Sequence, residues 1–367
     1  MPAGLPVADP NRLAADLRRR FPPAEASALA EQLTLRARAE RNHGSHRGLL
    51  FTSEGLEMMT HPVVASRRAA RLAALGLPVY DMTAGIGGDL FALSQAGADA
   101  VGFDRDPVHA LLAAANTGTA VARADAAHPA IDPAHAAVLV DPSRRVGDLR
   151  RFRPEAFSPP WDVVQSLAES AKVAVIKAPP GLDSAFVPPA AEFEAVQLGT
   201  SMRETTLWLG GDATPSVRRA VLLPLGVTLD SSEPEADAAV RPAGPFLYDP
   251  ESCVTRATLV RHLAHRLDAG LLDPNIAYLS SRQPSFSPLA ATFEVVDAVP
   301  FSVARLRERL RALRLRPEEI RRRAFPVEPD ELRRLLGKSE GDPVALLCTT
   351  LASARIIFIC RRLFAPP

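Results

Sequence analysis

Lysine is almost absent from this chain: of its 43 basic residues only Lys172, Lys177 and Lys338 are lysine, so one arginine carries little information by itself. Cysteine is equally scarce. Cys253, Cys348 and Cys360 cannot all pair and lack metal-ligand spacing, which excludes a disulfide scaffold, argues against a metal centre and predicts three buried thiols in a reducing compartment. No stretch approaches the roughly 20 apolar residues of a membrane span. The amino terminus has no basic region leading into an uninterrupted apolar run, so a cytoplasmic protein without a membrane partner is expected. No internal repeat is present.

What is there is a globular chain of 367 residues, 47% hydrophobic and 23% charged, long enough for two domains and an extension. The formal charge of +1 is a sum over an uneven distribution: residues 301–338 hold 11 Arg and 1 Lys against 6 acids.

Apolar residues recur at helical spacing from Asn11 to Arg41, broken at Pro22 and Pro23, which predicts two amphipathic helices forming a lid or helper layer. Ser53 then reads as one helix cap, and Thr60 as the cap of another helix with Pro62 in its first turn. From Val79 to Gly226 short apolar runs alternate with helical stretches: VYD, DLFALSQAG, DAVGFD, PVHALLAAAN, AAVLVD, WDVVQSLAESA, KVAVIKA. That alternation predicts a parallel sheet covered on both faces. ETTLWLG and RRAVLLPLG are expected to close it as an antiparallel hairpin. The acidic, Pro/Ala-rich run from Leu229 to Pro245 reads as a linker. Beyond it, helix at Cys253–Ala269, Val303–Leu315 and Pro329–Leu336 and strand at Ala291–Ala298, Pro343–Leu351 and Ala354–Cys360 predict a small α+β domain. The expected division is a helical extension over 1–76, a nucleotide-binding α/β domain over 77–228, a linker over 229–245 and the α+β domain over 246–367.

VYDMTAGIGGD puts Asp81 at a strand end and small residues, Ala84, Gly85, Gly87 and Gly88, in the turn before a helix, where a ligand can approach the backbone. Asp104, 19 residues past Gly85, ends the next strand, where a carboxylate can accept ribose hydroxyls. Asp125 follows a third strand and is placed to accept from an adenine amino group. A helix cap is the competing role for Asp104 and Asp125. The dinucleotide fingerprint needs a third glycine where Leu90 stands, which disfavours a nicotinamide dehydrogenase.

AAVLVDPSRR sets Asp141 and Pro142 at the end of the fourth strand, with Arg144 and Arg145 offered to a phosphate or carboxylate, or to a surface ion pair. Lys177, at the end of KVAVIKA, faces the same edge as a substrate contact or a snorkelling side chain. SPPW, at Ser158–Trp161, lacks a preceding apolar strand and reads as a loop and helix start, and His43 and His46 as solvated loop residues.

DMTAGIGGD resembles motif I of class I methyltransferases, with Thr83 in place of its first glycine, and DP at 141–142 resembles the start of their amine-methylating motif without its aromatic clamp. With FTSEGLEMMT, HPVVASRRAARL, VGFDRDP, KAPPG, FLYDPESCVTRATLV, LLDPNIAYLS and FEVVDAVPF, the series resembles a bacterial family of class I methyltransferases carrying a carboxy-terminal THUMP-like domain, over nearly the whole chain from Leu50. The resemblance implies a Rossmann-like α/β methyltransferase sheet, S-adenosyl-L-methionine as cofactor held by Asp81, Thr83, Gly85, Gly87, Gly88, Asp104 and Asp125, and methyl transfer at Asp141 and Pro142. It also implies RNA as partner, because THUMP domains present RNA to an attached catalytic domain. Arg321, Arg322 and Arg323 stand where relatives carry a Lys-rich run, and with Arg144, Arg145 and Lys177 complete the expected substrate contacts. A non-catalytic RNA-binding protein that keeps the cofactor pocket, or a methyltransferase of a small molecule or protein, stands as the alternative.

Overall fold

A computed structural model of the chain describes residues 15–44, 48–128, 131–144, 157–237 and 240–364. It divides into two units, Met1–Ala191 with Thr206–Pro215, and Glu192–Thr205 with Ser216–Pro367.

In the first unit, residues 15–18 are helical and, after Pro22, helix α1 (Pro23–His43) follows, then α2 (Ser53–Met58) and α3 (Pro62–Ala74). The α2 cap is Thr52, whose side chain accepts from the Gly55 N–H, rather than Ser53. The α3 cap is His61 rather than Thr60. Five parallel strands follow: β1 (Val79–Asp81), β2 (Ala100–Asp104), β3 (Val121–Arg123), β4 (Ala137–Val140) and, after the short β5 (Ser143–Arg144) and β6 (Phe157–Ser158), β7 (Val173–Ala178). Their order is β3-β2-β1-β4-β7, so the winding reverses between β1 and β4. At such a reversal the loops after the two strands part and leave a crevice.

β4 and β7 are buried along their whole length, which is why they read as unbroken apolar runs. On one face Ala65, Ala69 and Leu72 of α3 and Leu90 and Leu93 of α4 (Gly88–Gln95) pack with Val79, Leu139, Val175 and Trp208. Helix α5 (Pro107–Thr117) follows β2, and α6 (Trp161–Ser170) buries Trp161, Val164 and Leu167.

The expected hairpin is replaced by a different pairing. RRAVLLPLG, as β10 (Arg218–Leu223), lies between β8 (Glu192–Leu198), parallel, and β11 (Val227–Asp230), antiparallel, while ETTLWLG belongs to β9 (Ser201–Gly210). EFEAVQL, not read as a strand from sequence, supplies the intervening partner. The expected linker is tied to this unit by Arg261, which donates to the Ala236 carbonyl, and by Arg266, which pairs with Glu233.

A seven-stranded sheet follows, in the order β13-β14-β12-β15-β18-β17-β16. Its strands are β12 (Phe246–Pro250), β13 (Gly270–Asp273), β14 (Ile276–Ser281), β15 (Ala290–Pro300), β16 (Leu315–Arg323), β17 (Asp342–Leu351) and β18 (Ala354–Phe364). The expected Cys253–Ala269 helix is two short ones, α7 (Ser252–Arg256) and α8 (Val260–Arg266), with Thr258 at φ 60° between them. Helix α9 (Val303–Ala312) stops before Leu315, which opens β16. Leu306 and Leu310 of α9 and Leu332 and Leu336 of α10 (Pro329–Leu336) pack on Leu346, Ile357 and Ile359. All three cysteines are buried and free, and burial pushes the Cys253 and Cys348 thiols up to about 12.

Candidate active site

The crevice at the β1/β4 reversal is a pocket built wholly from the first unit, lined from the loops after β1, β2, β3 and β4, from α2 and its exit, and from Lys177. Thr83, Gly85, Gly88, Asp104, Asp125, Asp141 and Lys177 line it together, although they are scattered along the sequence between positions 83 and 177. Asp81, Gly87 and Pro142 do not line it: Asp81 and Pro142 are buried, and Gly87 is the left-handed cap of α4, at φ 92°. A side chain at Gly88 would strike Met59 Cγ at 2.6 Å, so only glycine lets the loop pass this close to the wall.

The competing cap role falls to a neighbour of Asp104. Asp106 caps α5, accepting from the Val108 and His109 N–H groups, and Pro107 fills the first turn. Asp104 instead accepts from the Gly85 N–H at 2.8 Å and the Asp106 N–H at 2.9 Å, which fixes its carboxylate at the pocket. Asp125 accepts from the Ala127 N–H, also at 2.9 Å.

Thr83 has a use a glycine lacks. Its hydroxyl accepts the Asp141 backbone N–H at 2.7 Å and ties the first loop to the fourth strand end. Arg144 pairs through its backbone with Phe157 in β5–β6, its side chain and all of Arg145 lying outside the described residues, as do the His43 side chain and all of His46.

Several contributors were not read from sequence. Thr60 and Arg68 of the α2–α3 segment and Asp89 of α4 join Lys177 and Asp141 in one network. Lys177 Nζ donates to Thr60 Oγ1 at 2.5 Å, to Asp89 Oδ2 at 3.0 Å and to Asp141 Oδ2, and Arg68 donates to the other Asp89 oxygen. Burial opposes ionisation of Asp89, but Arg68 and Lys177 override it and hold the carboxyl below its ordinary range. Ser158 and Pro159 of SPPW also reach the wall, carried there by the β5–β6 pair. The apolar lining is Met58, Met59, Met82 and Ile86 with alanines, and no aromatic side chain is among the residues that line it.

Arg321, Arg322 and Arg323 are elsewhere, on β16 in the second unit. Arg321 and Arg323 clamp the buried Asp249 at 2.6 and 2.7 Å, Arg321 also pairs with Glu319, and Arg322 pairs with Glu328. The Asp249 and Glu319 carboxylates raise the Arg321 guanidinium above its ordinary value against the effect of burial. The Arg321 and Arg323 charges are spent on a buried carboxylate, and that of Arg322 on a surface ion pair.

An uncharacterized S-adenosylmethionine-dependent methyltransferase of Mycobacterium tuberculosis, found alike in strains CDC 1551 / Oshkosh and ATCC 25618 / H37Rv, is 35% identical over 325 residues, covering 85% of this chain and 88% of that protein. The chain belongs to the S-adenosylmethionine-dependent methyltransferases. It is an enzyme, and S-adenosyl-L-methionine is its cofactor. A THUMP domain-like family model matches residues 290–362, from β15 into β18. The fold is shared with a crystal structure, from Porphyromonas gingivalis W83, of a protein described as a methyltransferase, 22% identical with a TM-score of 0.80 over 98% of this chain and 95% of that one.

The pocket's residues fit this methyltransferase cofactor. The glycine turn accepts close approach and Asp104 is fixed with lone pairs to spare for a ribose; outside the lining, Asp81, 2% exposed, keeps Oδ2 without a partner among the described residues. The bound cofactor supplies a methyl group on a sulfonium; the chain's task is to orient an acceptor and take its proton.

Burial and the nearby Asp89 push the Asp81 carboxyl up from 3.8 to about 8, against the Thr83 N–H and Lys177. A folded-state value above the unfolded one means that stability is fully present below about pH 4 and is lost as pH rises towards 8. In ligand-free protein the stability gap between Asp81→Asn and wild type should therefore widen over that window by up to about 1.4 kcal/mol per pH unit. Thermal unfolding at pH 5 and 8 measures it; a constant gap would show that Asp81 ionises freely in the folded state.

Proposed function

We propose that this enzyme methylates a base in RNA, with Asp104 and the glycine turn holding the cofactor, Asp141 taking the acceptor's proton, and the carboxy-terminal unit holding the RNA backbone. The carrying observation is that the THUMP-like match and an arginine-rich helix coincide within residues 290–362. Helix α9 and the turn after it expose Arg305, Arg311 and Arg314, which make no ion pair among the described residues. Arg307 and Arg309 are employed locally, by the Leu335 and Leu336 carbonyls and by Asp297. Because Arg321 and Arg323 are committed to Asp249, the α9 arginines are the better phosphate ligands.

Replacing Arg305 and Arg311 by Gln should flatten the dependence of RNA affinity on salt by about one unit of log–log slope or slightly more. Arg321→Gln should instead lower the melting temperature and leave that slope alone. Anisotropy with a bulk transfer-RNA probe across a salt series reads the first, and an unchanged slope would move the RNA surface off α9. The function itself is tested by comparing modified nucleosides, by mass spectrometry, in RNA from cells with and without the gene. A methylated nucleoside lost with the gene supports the reading, and identical profiles reject it.

A further inference from the structure

A lysine ammonium has three N–H donors and no acceptor. On Lys177, whose residue is 6% exposed, all three are occupied: by Thr60 Oγ1, by Asp89 Oδ2 and by Asp141 Oδ2. No donor is left for an acceptor molecule in the pocket. Asp141 is held through Oδ2 and through its backbone N–H on Thr83, while Oδ1 has no partner among the described residues and the side chain is 39% exposed at the pocket. Among the described residues, the groups facing this ammonium include Asp89 from α4, backed by Arg68 from α3, Asp141 after β4, Asp81 from β1, and the Thr60 hydroxyl.

We propose that Lys177 is a positioning residue for methyl transfer and acts through Asp141: it fixes one carboxylate oxygen and leaves the other to take the proton of the acceptor, without touching the acceptor itself. The inference rests on the reading of Asp141 as the proton acceptor, and it is independent of whether the methylated molecule is RNA. Asp89 acts one step further back, holding Lys177 by charge, and Arg68 holds Asp89 through its other oxygen.

The chain's three lysines make a direct test possible. With 15Nζ-labelled lysine, Lys172, Lys177 and Lys338 give three side-chain signals, assigned by substituting each in turn. Lys177 should show ammonium protons that exchange slowly with water, and its signal should move in Asp141→Asn while Lys172 and Lys338 stay put. Lys177→Gln should bind S-adenosylhomocysteine within about threefold of wild type. It should transfer a radiolabelled methyl group to RNA from gene-deleted cells at least a hundredfold more slowly. An Asp141→Asn spectrum in which Lys177 is unmoved, or a Lys177→Gln enzyme with the wild-type rate, would overturn the proposal. If wild type labels no RNA, the RNA reading falls by itself, and the lysine signal still decides whether Lys177 holds Asp141. A Lys177→Gln chain that fails to fold leaves the same decision with the Asp141→Asn spectrum.

Discussion

Asp89→Ala is expected to cost about 3–5 kcal/mol, roughly 10 °C in melting temperature, because it strands two buried cations at once. Arg68 and Lys177 side chains are 3% and 7% exposed, and the Asp89 carboxylate lies between them. Removing the shared anion takes from the Arg68 guanidinium its Asp89 ion pair and leaves the ammonium, among the described residues, with Thr60 and Asp141. The loss therefore exceeds what one hydrogen bond contributes, about 1 kcal/mol. Asp89→Asn, which keeps the shape and part of the bonding, should fall between wild type and Asp89→Ala. Adding Lys177→Met to Asp89→Ala should recover part of the deficit, since an apolar side chain does not suffer from the missing carboxylate. Thermal unfolding of the ligand-free protein reads all four chains. A melting temperature for Asp89→Ala within two degrees of wild type would mean that water enters the site and screens both cations.

The same network shows which parts of the molecule were legible in the residues. The central strands announced themselves because a strand buried on both faces has no polar positions, as in AAVLV and KVAVI. The carboxylates Asp104, Asp125 and Asp141 followed, since a strand end at the carboxyl edge is a position that sequence alone can number. Thr60 was misassigned for a physical reason. A threonine before His-Pro offers the same hydroxyl to a helix N-terminus or to a lysine 117 residues away, and only the packing of α3 on α4 decides between them. Asp89 was hidden in the same way, because an acid in the first turn of a helix is ordinary macrodipole compensation. In the second unit β16 escaped because LRPEEIRRR buries only Leu315 and Ile320, and the register shift between Pro317 and Glu319 breaks the alternation of a strand. Its arginines looked free in sequence, but their partner, Asp249, comes from β12, a strand not anticipated there. Local pattern therefore located the carboxyl edge of the sheet, whereas charge pairing between distant segments was beyond it.

Asp104→Ala is expected to weaken S-adenosylhomocysteine binding by about a hundredfold, equivalent to roughly 2–3 kcal/mol, the range of one or two hydrogen bonds to a charged group. The carboxylate is already oriented by the Gly85 and Asp106 N–H groups, so no side-chain freedom is lost when a ribose engages the remaining lone pairs. Preorganisation is what separates Asp104 from Asp106, two residues on and also at the pocket, whose carboxylate is occupied with the first turn of α5. Asp106→Ala should accordingly cost about 1 kcal/mol of stability as a lost helix cap and leave affinity within a few fold. Titration calorimetry on the two variants, run beside thermal unfolding, separates a ligand contact from a structural cap. If Asp104→Ala bound as tightly as wild type, the ribose would have to lie away from the β2 edge, and Asp125 and the glycine turn would be left to hold the cofactor. Equal losses in both variants would instead mean that the loop between Asp104 and Pro107 acts as one piece, with neither carboxylate making the contact alone.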